Sequence, residues 1–303
     1  MRAVDGGFVV GGFTDHHVHL QLVDTSQLAS SVLGRVVDLG GNPAVLARVH
    51  NSSMSTRTPA TEGDPGHDSA FFEELRTDLG VEVAFAGAFL TPPGGYPSTR
   101  PWAPEGSVRE IADADAAAAA ITEMKDAGAV CIKIASNSFA GSVFSDQMFA
   151  RIVELASDAG LPVVAHAEGP GEAQRAAALG ATLLAHAPFS ERLSDDDIEA
   201  QAASVQWIST LAIHSGQTYA TAVDNVRRFH AAGGTVLYGT DLGNGPAAVG
   251  LRPREIRALR EAGIDGDDLI RALSPVESRQ LFVPGGVLDP LLARRMTPED
   301  LEA

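Results

Sequence analysis

Val81-Glu82-Val83-Ala84-Phe85-Ala86-Gly87-Ala88-Phe89-Leu90 is an almost unbroken apolar run bounded by Gly80 and by a Pro/Gly-rich loop. A strand with one wet face alternates polar and apolar residues. A strand covered on both faces, as in a parallel sheet packed between layers, has no reason to alternate. This run therefore predicts a buried parallel strand. Working outward, similar runs fall at about 8–20, 35–40, 129–136, 161–168, 181–187, 205–213 and 235–242. Between them lie helical patterns, for instance 69–79, 113–127, 144–159, 171–180, 218–232 and 253–263. Glycines stand just before several strands (Gly34, Gly80, Gly128, Gly160, Gly180 and Gly234), where a helix C-terminus turns through the left-handed region. Eight strand–helix units in succession predict an α/β protein built as a (β/α)8 TIM barrel. A doubly wound open sheet is the alternative, but the Gly-rich phosphate loop it calls for is missing.

Two stretches interrupt the rhythm. Residues 51–65 are polar and rich in Ser, Thr and Pro, and suggest an insertion after the second strand. Thr91 to Gly106 forms a long Pro/Gly loop after the third, a natural place for a lid or a binding loop. Residues 1–283 are expected to form the barrel, and 284–303 a tail packed on it or on a partner subunit.

Composition narrows the function classes. The 303 residues carry 22 Lys and Arg against 39 Asp and Glu, a net charge of −17, which argues against nucleic acid and anionic membranes. Cys131 is the single cysteine, so no internal disulfide can form. There is no signal-peptide pattern and no apolar run of the roughly 20 residues that span a bilayer. The expected setting is the cytoplasm, the expected partner a small-molecule substrate, and the expected assembly a homo-oligomer.

Polar residues mark the C-terminal ends of the strands, where barrels of this kind gather reactive groups. His17 and His19, two apart on the first strand, point to one face. Alternation puts Cys131 and Lys133 on one face of strand four, with Ile132 and Ile134 on the other. His166, His186 and Asp241 end strands five, six and eight. Lys133 is the most telling of these. A lysine in an apolar strand must be neutralised or paired. A neutral amine can take up CO₂ as a carbamate able to bridge two metals; a plain ion pair, for instance with Asp241, is the alternative.

The segments GGFTDHHVH, GRVVDLGG, CIKIAS, VVAHAEG, LLAHAP and YGTDLG, in that order, resemble the amidohydrolase superfamily of metal-dependent hydrolases. The branch holding imidazolonepropionase-like enzymes and metal-dependent prolidases is the most similar, over roughly residues 4–283. The resemblance implies one divalent metal, most naturally zinc, on His17, His19 and Asp241. It implies a second on His166 and His186, with carboxylated Lys133 bridging the pair. A metal-bridging hydroxide would hydrolyse a C–N bond of an amide, lactam or small peptide-like substrate, with Asp241 as proton shuttle. Lactone or ester hydrolysis, a non-hydrolytic decarboxylation or isomerisation, and a catalytically silent metal-binding scaffold are the alternatives. The chain departs from the family in three places. Most or all of the small β-sandwich is expected to be missing. Gly12 stands where Pro is common before the first motif, and Ser274-Pro275-Val276 replaces Asn-Pro-Ala.

Further candidates are less constrained. His214, past strand seven, could bind substrate or orient the nucleophilic water. Tyr96, Arg100 and Trp102 could form an aromatic wall and a carboxylate-binding guanidinium. Glu168 is a candidate hydrogen-bond partner for a ligating histidine. Asp38 either supports the site or caps the next helix. His16, His50, His67 and His230 are expected to be structural or solvent-facing, and Cys131 an apolar filler.

Overall fold

The computed structural model describes residues 1–55, 79–245, 248–297 and 300. The first part of the chain forms β1 (Arg2–Val4), β2 (Gly7–Val18), β3 (Leu33–Asp38), α1 (Pro43–Ser55), β4 (Glu82–Phe85) and β5 (Phe89–Thr91). The middle follows with β6 (Val108–Glu110), α2 (Ala114–Asp126), β7 (Ile132–Asn137), α3 (Asp146–Asp158), β8 (Val163–Glu168) and α4 (Glu172–Ala178). Then come β9 (Leu183–Leu184), α5 (Asp195–Ala202), β10 (Gln206–Ile208), α6 (Gly216–Ala231) and β11 (Val236–Leu237). The chain finishes with α7 (Pro253–Glu261), α8 (Gly266–Ala272), β12 (Val276–Pro284) and β13 (Arg294–Arg295).

The fold is α/β with a curled parallel sheet. The second half of β2 pairs in parallel with β3, and β3 with β4. A second parallel series runs β5, β7, β8, β9, β10, β11, with β6 on the outer side of β5. Hydrogen bonds join the two series at both margins. The Val130 amide donates to the Phe85 carbonyl at 2.9 Å. On the far side Val18 bridges Leu242, and the His16 and His19 amides donate to Tyr238 and Leu242 at 3.0 and 2.7 Å.

The run that predicted the buried strand is split in two. Residues 82–85 pair with β3 and 89–91 pair with β7, and the chain turns between them at Gly87, φ +80°. A Cβ at Gly87 would collide with Met124 Sδ, which accepts the Ala88 amide hydrogen bond at 3.1 Å.

Two apolar clusters follow from strand alternation. The larger lies between strands and helices, with Ile132 and Ile134 on its sheet side and Ile121, Phe149 and Ile152 on its helix side. The smaller consists of Leu39, Ala86, Cys131, Val164, Ala185 and Ile208, contributed by six successive crossings of the curled sheet. Cys131 is the filler expected, its thiol pushed up to about 12 by burial.

Three expectations need correction. The strands expected at 181–187, 205–213 and 235–242 keep ladder pairing only over 183–184, 206–208 and 236–237. Beyond those points the backbone leaves the ladder, and Thr210 and Asp241 take left-handed φ values of 43° and 51°. Secondly, both chain ends build an antiparallel layer: β1 and β12 flank the first half of β2, and β13 pairs with β12. The expected tail at 284–303 thus enters this layer through β13. Thirdly, the insertion expected at 51–65 begins within α1. The rest of it, His67 and most of the helix expected at 69–79 lie outside the described residues.

Candidate metal centre

The end of β2 sets the site. Alternation puts Asp15, His17 and His19 on one face, and His16 on the other, where its Nδ1 lies 3.0 Å from the Tyr238 carbonyl. His17 Nδ1 lies 2.8 Å from the Ala185 carbonyl, and His19 Nδ1 lies 3.0 Å from that of Gly40. A carbonyl can only accept, so both Nδ1 atoms donate. In the neutral ring each Nε2 is then left with a lone pair.

Those two Nε2 atoms face each other at 3.3 Å, and Asp241 Oδ1 stands 3.2 Å from both. All three side chains are buried. Tetrahedral zinc with bonds of about 2.0–2.1 Å would hold its ligand atoms about 3.3 Å apart. The triangle has that edge length. Burial holds the His17 pKa well below its ordinary value. For His19 burial works in the same direction, but the hydrogen bond and charge of Asp241 outweigh it and raise the pKa. The convergence of three acceptor atoms at this point fits a divalent cation.

Lys133, on β7, is 1% exposed and lines the same cavity. Burial pulls its pKa down to about 8, against the opposing charge of Asp241. Among the described residues no carboxylate forms an ion pair with it, so the alternative of a direct Lys133–Asp241 pair is not what the side chains make. His186 packs its ring 4.8 Å from that of His17 and 4.9 Å from that of His166. Its Nδ1 lies 2.9 Å from Thr210 Oγ1. His166 Nε2 lies 3.0 Å from Glu168 Oε2, which also accepts from Asn137 Nδ2 at 2.6 Å.

His17, His19, Lys133, His166, Glu168, His186 and Asp241 line one cavity of about 440 Å³, together with Tyr96, Trp102, Phe89, Phe189, His214 and Asn244. His214 Nε2 is buried without a hydrogen-bond partner, and burial lowers the ring's pKa to about 4. Arg100 departs from expectation. It is exposed, does not line the cavity, and lies over the Tyr96 ring with Cζ 5.8 Å from the centroid. Asp38 also takes one of its two expected roles only. Its carboxylate accepts from Leu20 and Gly40 at 2.7 and 2.9 Å, while Asn42 bonds the Ala44 amide at the start of α1. By fixing Gly40, Asp38 supports the carbonyl that orients His19.

Sequence reasoning missed three supports. Asp15 accepts from the His17 and Thr240 amides, each at 3.1 Å, and from Thr240 Oγ1 at 2.6 Å, tying β2 to the residue before Asp241. Burial pushes its carboxyl up to about 7. Its place on the His17–His19 face was readable from alternation. Thr210 and Glu255 were not. Glu255 accepts from the Leu211 and Ala212 amides at 2.9 and 2.6 Å and so shapes the turn before His214.

Comparison with solved structures gives a consistent answer. A putative prolidase from Bifidobacterium longum superposes with a TM-score of 0.67 at 18% identity, over 94% of this chain and 77% of that one. A Xaa-Pro dipeptidase with methionine bound in its active site gives 0.66 at 15% identity, over 95% and 83%. Phenylurea hydrolase B gives 0.62 at 15% identity, over 88% and 74%. The chain shares its fold with these solved hydrolases. At these identities the likeness carries the fold alone. No family model matches the sequence, and no curated protein sequence matches it. On this fold, the His17–His19 pair from β2, Lys133, His166, His186 and Asp241 meet around one cavity.

Proposed function

We propose that this chain is a metal-dependent amidohydrolase that cleaves a C–N bond in a small amide, lactam or peptide-like substrate. The observation that carries the reading is the His17–His19–Asp241 triangle, three acceptor atoms within 3.3 Å of one another in a buried site. A closed (β/α)8 barrel underlies it. Counting β4 and β5 as one crossing, β2, β3, β4/β5 and β7 to β11 make eight, and both margins are hydrogen-bonded.

His17, His19 and Asp241 would hold one divalent ion, with zinc the natural choice for this donor set. His166 and His186 would hold a second, with Lys133 between the two sites as a carbamate. The ions supply Lewis acidity to a substrate carbonyl and to water. The chain's own groups do the rest. The lysine amine, its pKa near 8, adds to CO₂ and releases a proton, giving a carboxylate where the apolar strand holds an amine. Asp241 keeps Oδ2 in a 2.8 Å hydrogen bond from Asn244 while Oδ1 faces the histidines. It takes a proton from the attacking water and returns it to the leaving nitrogen. The neutral His214 ring offers its unpartnered Nε2 to a polar atom of the substrate.

Metal analysis of protein purified without chelators, beside Asp241→Asn, tests the reading. Stoichiometric divalent metal, lost together with amide hydrolysis in the variant, is the expected outcome. Metal-free protein that still turns over an amide would exclude it.

A further inference from the structure

We propose that the cavity receives an uncharged aromatic group of its substrate, and that Glu168 excludes substrates carrying a carboxylate there. This rests on reading the site as an amide hydrolase and names the kind of amide.

Two observations point the same way. The first is the wall. Phe89, Trp102 and Tyr96 form a continuous aromatic surface, with centroids 6.1 Å apart between Phe89 and Trp102 and 6.0 Å between Tyr96 and Trp102. Tyr96 then stacks on His166 at 5.3 Å. On the other side Phe189 packs 4.2 Å from His214. Trp102 remains 38% exposed, a large apolar ring held at the mouth with room for a partner. Such faces suit a flat ring.

The second is the charge at the end of that wall. A substrate with a free carboxylate, such as an N-acyl amino acid, calls for a guanidinium or ammonium group. Among the described lining residues Lys133 is the only lysine or arginine, and it is buried beside the ligand triangle. Arg100 lies outside the cavity, and Arg254 donates to the His214 carbonyl at 2.7 Å without lining it. Where the aromatic surface meets His166, the cavity instead presents the Glu168 carboxylate. Like charge in a partly desolvated cavity selects against an anion.

A matched pair of ligands tests this: acetanilide, and its twin with a carboxylate at the para position. Occupancy is read by quenching of Trp102. The other tryptophan, Trp207, is buried and stacked 3.7 Å from Phe229, and Trp102→Phe supplies the blank. Binding is measured on metal-loaded and on chelator-treated protein, so that ligation of the carboxylate by metal is seen separately. Acetanilide is expected to bind at least about tenfold more tightly than the twin in both forms. In Glu168→Gln that ratio should fall to about threefold or less through tighter binding of the twin. Glu168→Asp, which keeps the charge, should preserve the preference and shows that the site is intact. Equal or tighter binding of the twin by chelated wild-type protein overturns the proposal, as does a ratio that survives Glu168→Gln. Discriminating binding without hydrolysis of any amide by the metal-loaded protein would instead overturn the hydrolase reading and leave this one standing.

Discussion

Lys133 shows how one side chain can carry two opposed demands. It is buried in an apolar strand, yet it lines a cavity with five histidines and Asp241. Desolvation lowers the cost of losing the proton, so near pH 8 a large share of the amine is neutral and nucleophilic. On the proposed two-metal reading, Lys133→Ala should reduce bound divalent metal from two ions per chain to one or fewer, and lower turnover by about 10–100-fold, in line with losses at metal-supporting groups. Lys133→Glu restores a carboxylate and should recover part of the metal; retention of both ions by Lys133→Ala would exclude the bridging role. At this scale the sequence was most legible where alternation acts, since period two put His17 with His19, and Cys131 with Lys133, on shared faces. Arg100 was misplaced because a loop residue's direction depends on packing, here on the Tyr96 ring, and no period encodes it. Thr210 was invisible for a similar reason, since its hydroxyl meets His186 across a turn whose left-handed backbone no residue type at that position announced.

At the scale of elements, the site depends on strands that stop early. β9, β10 and β11 keep two or three paired residues each, and the chain beyond them is free to carry His186, His214 and Asp241 toward the cavity. Apolar runs continue past those stops, which is why the sequence suggested longer strands: burial persists after the ladder ends. The break between β4 and β5 follows the same logic. Gly87 lets one crossing pair with β3 and then with β7, and it carries Phe89 to the cavity wall. Gly87→Ala should destabilise the protein by about 1–3 kcal/mol, from the left-handed backbone and the contact with Met124 together. Denaturant titration checks this. The double variant Gly87→Ala/Met124→Ala removes the contact but not the backbone strain. If Gly87→Ala proves neutral, the kink is not held by its glycine.

At the scale of the molecule, the parallel βα alternation was legible because each unit is local, whereas the antiparallel layer was not. It pairs Gly7 with Pro284 and Phe8 with Val283, contacts that no window of sequence contains. The whole chain also bears a net charge of −17 around a centre where acceptor atoms of two histidines and an aspartate converge. Without a cation those lone pairs oppose one another in a buried site; a cation would satisfy the same atoms. A divalent metal held there would therefore bind the folded state far better than the unfolded chain, where Asp241 lies more than 200 residues along the chain from the histidine pair. At a thousandfold excess over Kd, such linkage adds about 4 kcal/mol of stability. Thermal unfolding with and without chelator should then show a fall of several degrees in Tm on metal removal, restored by zinc. The increment should be largely lost in His17→Ala/His19→Ala, since that pair supplies two of the three converging atoms. An unchanged Tm under chelation, with metal shown by analysis to have left, would mean that the strand ends are held by hydrogen bonds alone and that the triangle places no demand on a cation.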